Sequence, residues 1–188
     1  MSPASSLLAT GLWCSSEPCR LERDQVEIRL FEPSLRYVAP DGDNHGGPFT
    51  HGGWVGVLPL WPFDRPEPGD LTLLVPAGLK MRLSYPAAYP MVPPEIFPVR
   101  PEPTIAQRTQ AAWHVLPGGG LCLFQSDGAW LPEASIVDLL IKAAGWNIEY
   151  ALMQAGVIDK MTTCGIANDQ SLDGLVATAL KLGQPSDG

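Results

Sequence analysis

Gly120-Leu121-Cys122-Leu123, preceded by Tyr89-Pro90-Met91-Val92-Pro93-Pro94 and followed by Trp130, Pro132 and Ser135, is the stretch from which the rest of this chain is best read. Together these landmarks point to a carrier thiol. Pro117-Gly118-Gly119-Gly120 ahead of the cysteine carries little side-chain bulk, so an extended partner chain could approach the backbone closely, although the same glycines also simply make a turn. An ordinary thiol with a pKa of ~8.5 is only a few per cent ionised at neutral pH, yet its thiolate is nucleophilic enough for acyl exchange without an adjoining base. The bland alternative is a buried, inert cysteine.

Outward from this stretch the texture changes at Pro132. Ser135 can cap a helix in which Ile136, Leu139, Leu140, Ala143, Trp146, Asn147 and Tyr150 recur at helical spacing through about Met153. Trp130 and Pro132 read as structure, a large aromatic and a rigid turn joining the cysteine loop to that helix. Towards the N-terminus, 20 prolines and 19 glycines cut the chain into pieces too short for long helices. Gln25 to Phe31 alternates Val26, Ile28 and Leu30 with charged neighbours and reads as a half-buried strand, with Leu35 and Tyr37 continuing the pattern. Trp54 to Leu60, Leu71 to Val75 and Leu79 to Leu83 read as three more strands. Leu172 to Leu182 is a weaker helical candidate. The expected class is α+β, an antiparallel meander packed on the helix after the cysteine loop. Its expected parts are an N-terminal segment at 1–20, a main domain at 21–165 and a C-terminal helical segment and tail at 166–188.

The chain has 188 residues, of which 45% are apolar, enough for one packed domain. A net charge of -8 argues against a surface that tracks phosphates, so no nucleic-acid partner is expected. No run approaches the ~18–20 apolar residues of a membrane span, and the first residues lack the basic start of a secretory signal. Four cysteines, Cys14, Cys19, Cys122 and Cys164, are too sparse for a disulfide scaffold, so a cytoplasmic location with reduced thiols is expected. Cys164 has no supporting motif and reads as structural.

In order and spacing these pieces resemble the ubiquitin-conjugating enzyme family over roughly residues 50 to 155: a meander, Tyr89-Pro90-x-x-Pro93-Pro94, a histidine at 114, Gly120-x-Cys122-Leu123, then Trp130, Pro132 and Ser135. The resemblance is to divergent bacterial members that are typically encoded with a ubiquitin-like protein, an activating enzyme and often a metal-dependent peptidase in antiphage defence. It implies a fold of that family. It also implies that Cys122 accepts the C-terminal glycyl group of a ubiquitin-like protein as a thioester from an ATP-dependent activating enzyme. The group then passes to an amine on a protein target, with no cofactor of the carrier's own. His114 would organise the active-site loop, supported by Gly120, Gln125 and Asp127, while Tyr89, Pro93, Pro94, Trp130 and Pro132 would frame it.

The chain also departs from that pattern. His114 is followed by Val115 and Leu116, so the family's proline and asparagine are absent, and that asparagine is thought to steady the loop or the oxyanion. Gln125, Ser126 or a backbone N–H are candidates to replace it. Asp127, Glu133 and Asp138 are candidates for orienting a substrate lysine. Pro101 to Gln110 reads as a polar insertion beside the site. The family's long basic N-terminal helix is expected to be short or remodelled, with residues 156 to 188 available for docking instead. Three other classes stay open: a zinc site from Cys14, Cys19, His45 and His51, a Cys122–His114 hydrolase, and an inactive binding module that keeps the fold.

Overall fold

A computed structural model describes residues 12–41, 46–124 and 130–182, with side chains to residue 180. The chain is α+β. A short helix α1 (Trp13–Ser16) leads into α2 (Pro18–Phe31), followed by strands β1 (Arg36–Val38) and β2 (Gly53–Val57). A helical turn α3 (Leu71–Leu74) precedes β3 (Lys80–Ser84) and β4 (Glu95–Arg100). Then come α4 (Ile105–Arg108), a 3₁₀ turn at Ala111–Trp113, α5 (Ile136–Gln154) and α6 (Ser171–Leu182). The four strands form one antiparallel sheet in the order β1-β2-β3-β4, the expected meander.

Two segments expected as strands are helical. Residues 25–31 belong to α2, which starts with Pro18 at its first turn, where a missing N–H costs nothing. The buried stripe of this helix is Arg20, Asp24 and Ile28, four residues apart. Val26 and Leu30, which suggested the period-two alternation, point outward, and Leu30 is 83% exposed. A helix of 14 residues therefore stands near the N-terminus where a strand was expected, and it runs across the expected boundary at residue 20. Residues 71–74 form α3, which buries Leu71 and, one turn on, Val75. The strand at 95–100 was hidden by Pro98; it lies at the end of the sheet order, and the β3–β4 register shifts at Lys80/Met81, beside the proline.

The helix capped by Ser135 forms as expected, its hydroxyl accepting from the Val137 amide at 3.1 Å. Its Ile136, Leu139, Leu140 and Ala143 pack with Trp54, Met81, Leu83 and Ile96 from the sheet. Its far end, Ile148 and Leu152, joins Leu71, Val75, Ile166, Leu172 and Val176 in a second core. Thus α5 is the shared spine of both cores. Helix α6 spans the expected stretch at 172–182, and its buried face closes the second core. No helix among the described residues is long and apolar enough to cross a membrane.

Candidate active site

Cys122 leaves a tight hairpin laid along β4. Leu121 donates its amide to the Ile96 carbonyl at 2.8 Å, and Val115 pairs with Leu121 in an antiparallel bridge. The Leu116 amide bonds the Gly120 carbonyl and the Gly119 amide bonds the Leu116 carbonyl, both at 2.8 Å. Gly119 has φ +87°, and a Cβ there would also meet the Arg108 guanidinium, so this glycine is the one the turn requires. Gly120 is buried against Phe97, but a Cβ would make only ordinary contact there. The glycine run is thus first a turn.

His114 ends the 3₁₀ turn at φ 48°, and its backbone carbonyl accepts the Cys122 amide at 2.8 Å. Its half-buried imidazole is held below its ordinary pKa by desolvation, in the neutral form. The thiol of Cys122 is half-buried, and its contact is a long one, 3.9 Å, to the Phe124 carbonyl. Imidazole and thiol form no hydrogen bond, so histidine and cysteine meet through backbone and not as a base–nucleophile pair.

A groove of about 920 Å³ opens in front of Cys122. One wall is Arg108 to Ala112, running from the end of the segment expected as a polar insertion into the 3₁₀ turn; the other is Lys160 to Thr163. The insertion is firmly built. Thr104 and Gln107 form a reciprocal cap on α4, and Gln107 also accepts from the Tyr150 hydroxyl at 3.1 Å. The opposite wall is tied down by the Met161 amide on the Ala112 carbonyl (3.0 Å) and by Glu149. Both oxygens of this buried carboxylate accept backbone amides, Thr162 and Ile166, each at 2.7 Å. Burial nevertheless holds Glu149 above its ordinary pKa. A second, smaller crevice of about 30 Å³, also lined by Cys122, is bounded by His114, Lys142, Trp146, Glu149 and the exposed Cys164.

The framing residues converge through one arginine that the sequence did not single out. Arg20 on α2 donates Nε to the Tyr89 hydroxyl at 2.7 Å, one guanidinium nitrogen to the Pro132 carbonyl at 2.6 Å and the other to the Ala134 carbonyl at 2.8 Å. The same Nε lies 2.9 Å from Asp24 Oδ1. Asp24 Oδ2 accepts from Tyr89 (2.6 Å) and Tyr85 (3.0 Å), and burial raises the pKa of this carboxyl. Trp130 donates its indole N–H to the Pro90 carbonyl at 2.8 Å, closing the frame. Pro94 is buried and Pro93 half-buried at the entry to β4. The only hint of Arg20 in the sequence was a charged residue in line with Asp24 and Ile28 at helical spacing.

No protein-family model, curated protein or solved structure matches this chain. The site stands on its own geometry. Gln125, Ser126 and Asp127 lie outside the described residues. Glu133 and Asp138 are exposed, and Glu133 meets α2 through its carbonyl, which accepts from Arg23 at 3.0 Å. Among the described residues no three His, Cys, Asp or Glu side chains converge on a metal position; Cys14 is half-buried, Cys19 is exposed, and His45 lies outside the described residues.

Proposed function

We propose that this chain is a ubiquitin-conjugating-like carrier, with Cys122 accepting the C-terminal acyl group of a ubiquitin-like protein from an activating enzyme and passing it to an amine on a target, in a bacterial antiphage system. The observation that carries the reading is a half-buried thiol, with no imidazole partner, at the edge of a groove of about 920 Å³. A hydrolase would need an oriented base on the nucleophile; a carrier exchanges thioesters with the thiolate alone. The order of elements also supports it: an N-terminal helix, a four-stranded meander, the cysteine hairpin, then α5. In this reading α2 docks the activating enzyme, offering exposed Val26, Arg29 and Leu30 on its outer face.

The test is intact mass without reducing agent, after incubation with ATP and the activating enzyme and ubiquitin-like protein encoded beside the chain. One modifier mass minus water, removed by thiol and absent from Cys122→Ala, is the expected result. No adduct from an activating enzyme that is itself charged would overturn the carrier reading in favour of an inactive binding module.

A further inference from the structure

We infer that Lys142 stabilises the oxyanion that forms when a nucleophile attacks a thioester on Cys122; the inference rests on the carrier reading above. A preorganised positive charge or donor aimed at that oxygen is commonly the largest single contribution to acyl transfer. Among the described residues, two neighbouring candidates are committed elsewhere and a third lies outside the crevice. The Cys122 amide is bonded to the His114 carbonyl. Arg108 is held by the Pro103 carbonyl at 3.1 Å and by Glu102 at 3.0 Å. Lys160 lines the larger groove but not the smaller crevice.

Lys142 lines that crevice together with Cys122 and His114. Its Nζ lies 4.8 Å from the centroid of the Phe124 ring, and the carbonyl of the same Phe124 makes the long 3.9 Å contact with the Cys122 thiol. A cation over an aromatic face is attracted to it, which holds the ammonium beside the 122–124 segment. Among the described residues no carboxylate pairs with Lys142. The acid in the crevice, Glu149, has both oxygens occupied by amides. A space of about 30 Å³ admits a group the size of one water, which is what a carbonyl oxygen requires.

The step balances simply. The nitrogen lone pair attacks the thioester carbon, the C–N bond forms and the carbonyl π electrons move onto oxygen beside the Lys142 ammonium. The carbonyl then reforms, the C–S bond breaks, Cys122 leaves as thiolate, and the proton lost by nitrogen goes to water. Lys142 keeps its own proton throughout.

The test loads the full chain chemically, by exchange with acetyl-glycyl-glycine mercaptoethanesulfonate thioester in a Cys19→Ser, Cys164→Ser background, with peptide mapping to locate the acyl group. Discharge to hydroxylamine, uncharged at neutral pH, is followed by intact mass. Lys142→Met, which keeps the aliphatic stem, is expected to slow discharge about 10²-fold, and Lys142→Arg to recover most of the rate. Discharge from the Met variant at the parent rate or faster would overturn the assignment, as would equal slowing in Met and Arg, which would mark packing and not charge. A parent thioester that discharges no faster than the same thioester in the urea-unfolded chain would instead sink the carrier reading, and this inference with it.

Discussion

The amide of Cys122 is bonded at 2.8 Å to the carbonyl of His114, and His114 presents that carbonyl from the left-handed region at φ 48°. What the site needs from residue 114 is therefore a backbone conformation at least as much as a ring. Asn visits that region readily, whereas a β-branched residue there costs ~1–2 kcal/mol. His114→Asn is expected to keep the urea midpoint at neutral pH, while His114→Val lowers it and speeds alkylation of Cys122 as the hairpin loosens. The ring leaves its own signature. Because burial lowers the His114 pKa, the folded chain binds fewer protons than the unfolded one near the ordinary value of 6.5. That contribution is complete above 6.5 and is lost as pH falls through the lowered folded pKa. Urea midpoints from pH 7 to 5 should fall less steeply in His114→Asn than in the parent.

Arg20 and Asp24 make a second, independent prediction. Both side chains are buried, at 6% and 0% exposure, and the guanidinium also holds the Tyr89 turn to the Pro132–Ala134 segment. Removing one member of a buried pair leaves an uncompensated charge and costs about 3–5 kcal/mol. Arg20→Met is expected to fall in that range by urea denaturation, and Arg20→Met with Asp24→Leu to recover part of it. If the single variant costs under 1 kcal/mol, the frame around Cys122 does not depend on this arginine.

What was legible in the sequence and what was not divides along a physical line. Ser135 and the apolar residues of α5 follow one period over nineteen residues, and β3 shows the alternation expected of a half-buried strand. Helix α2 was misread because its buried stripe is Arg20, Asp24 and Ile28, and a hydrophobic pattern cannot register a polar core. Pro98 hid β4 for a related reason: a proline argues against a central strand but is tolerated at a sheet edge or an irregularity in register. In the site, Cys122 and His114 stood out by spacing, and they do meet. Arg20, Lys142 and Glu149 carry no local signature. Apart from Asp24, one turn from Arg20, their partners lie on other segments, more than 100 residues away where Arg20 reaches Pro132 and Ala134.

Glu149 gives a pH prediction of opposite sign to that of His114. Burial raises its pKa above the ordinary 4.5, so the folded chain holds a proton that the unfolded chain releases. Its contribution is fully present below 4.5 and is lost as pH rises through the folded pKa. Glu149→Gln removes this dependence, but its NH₂ must face one of the two amides that the carboxylate now accepts. The variant is expected to cost about 1–3 kcal/mol at neutral pH. Asp24 contributes a dependence of the same sign, so the informative quantity is the parent-minus-variant curve of urea midpoints between pH 4 and 7. A flat difference would mean that Glu149 has no raised pKa.

Helix α6 supplies the last prediction, because its packing distinguishes an integral element from an appended tail. Leu172, Val176 and Ala179 are buried against Leu71, Val75, Ile148, Leu152 and Ile166. Arg65 adds a paired contact to Asp173 at 2.7 and 3.0 Å and bonds the Ile166 carbonyl at 2.7 Å. Burying Leu172 and Val176 alone contributes roughly 3–6 kcal/mol, a large share of the ~5–15 kcal/mol that holds a typical domain together. A chain ending at residue 168 is therefore expected to show a strongly lowered thermal midpoint and to bind a hydrophobic dye. The Glu149 contacts to Thr162 and Ile166 would remain in the shortened chain. An unchanged midpoint would mean that residues 169 to 188 are separable from the core, and would free that segment to be tested as a docking surface.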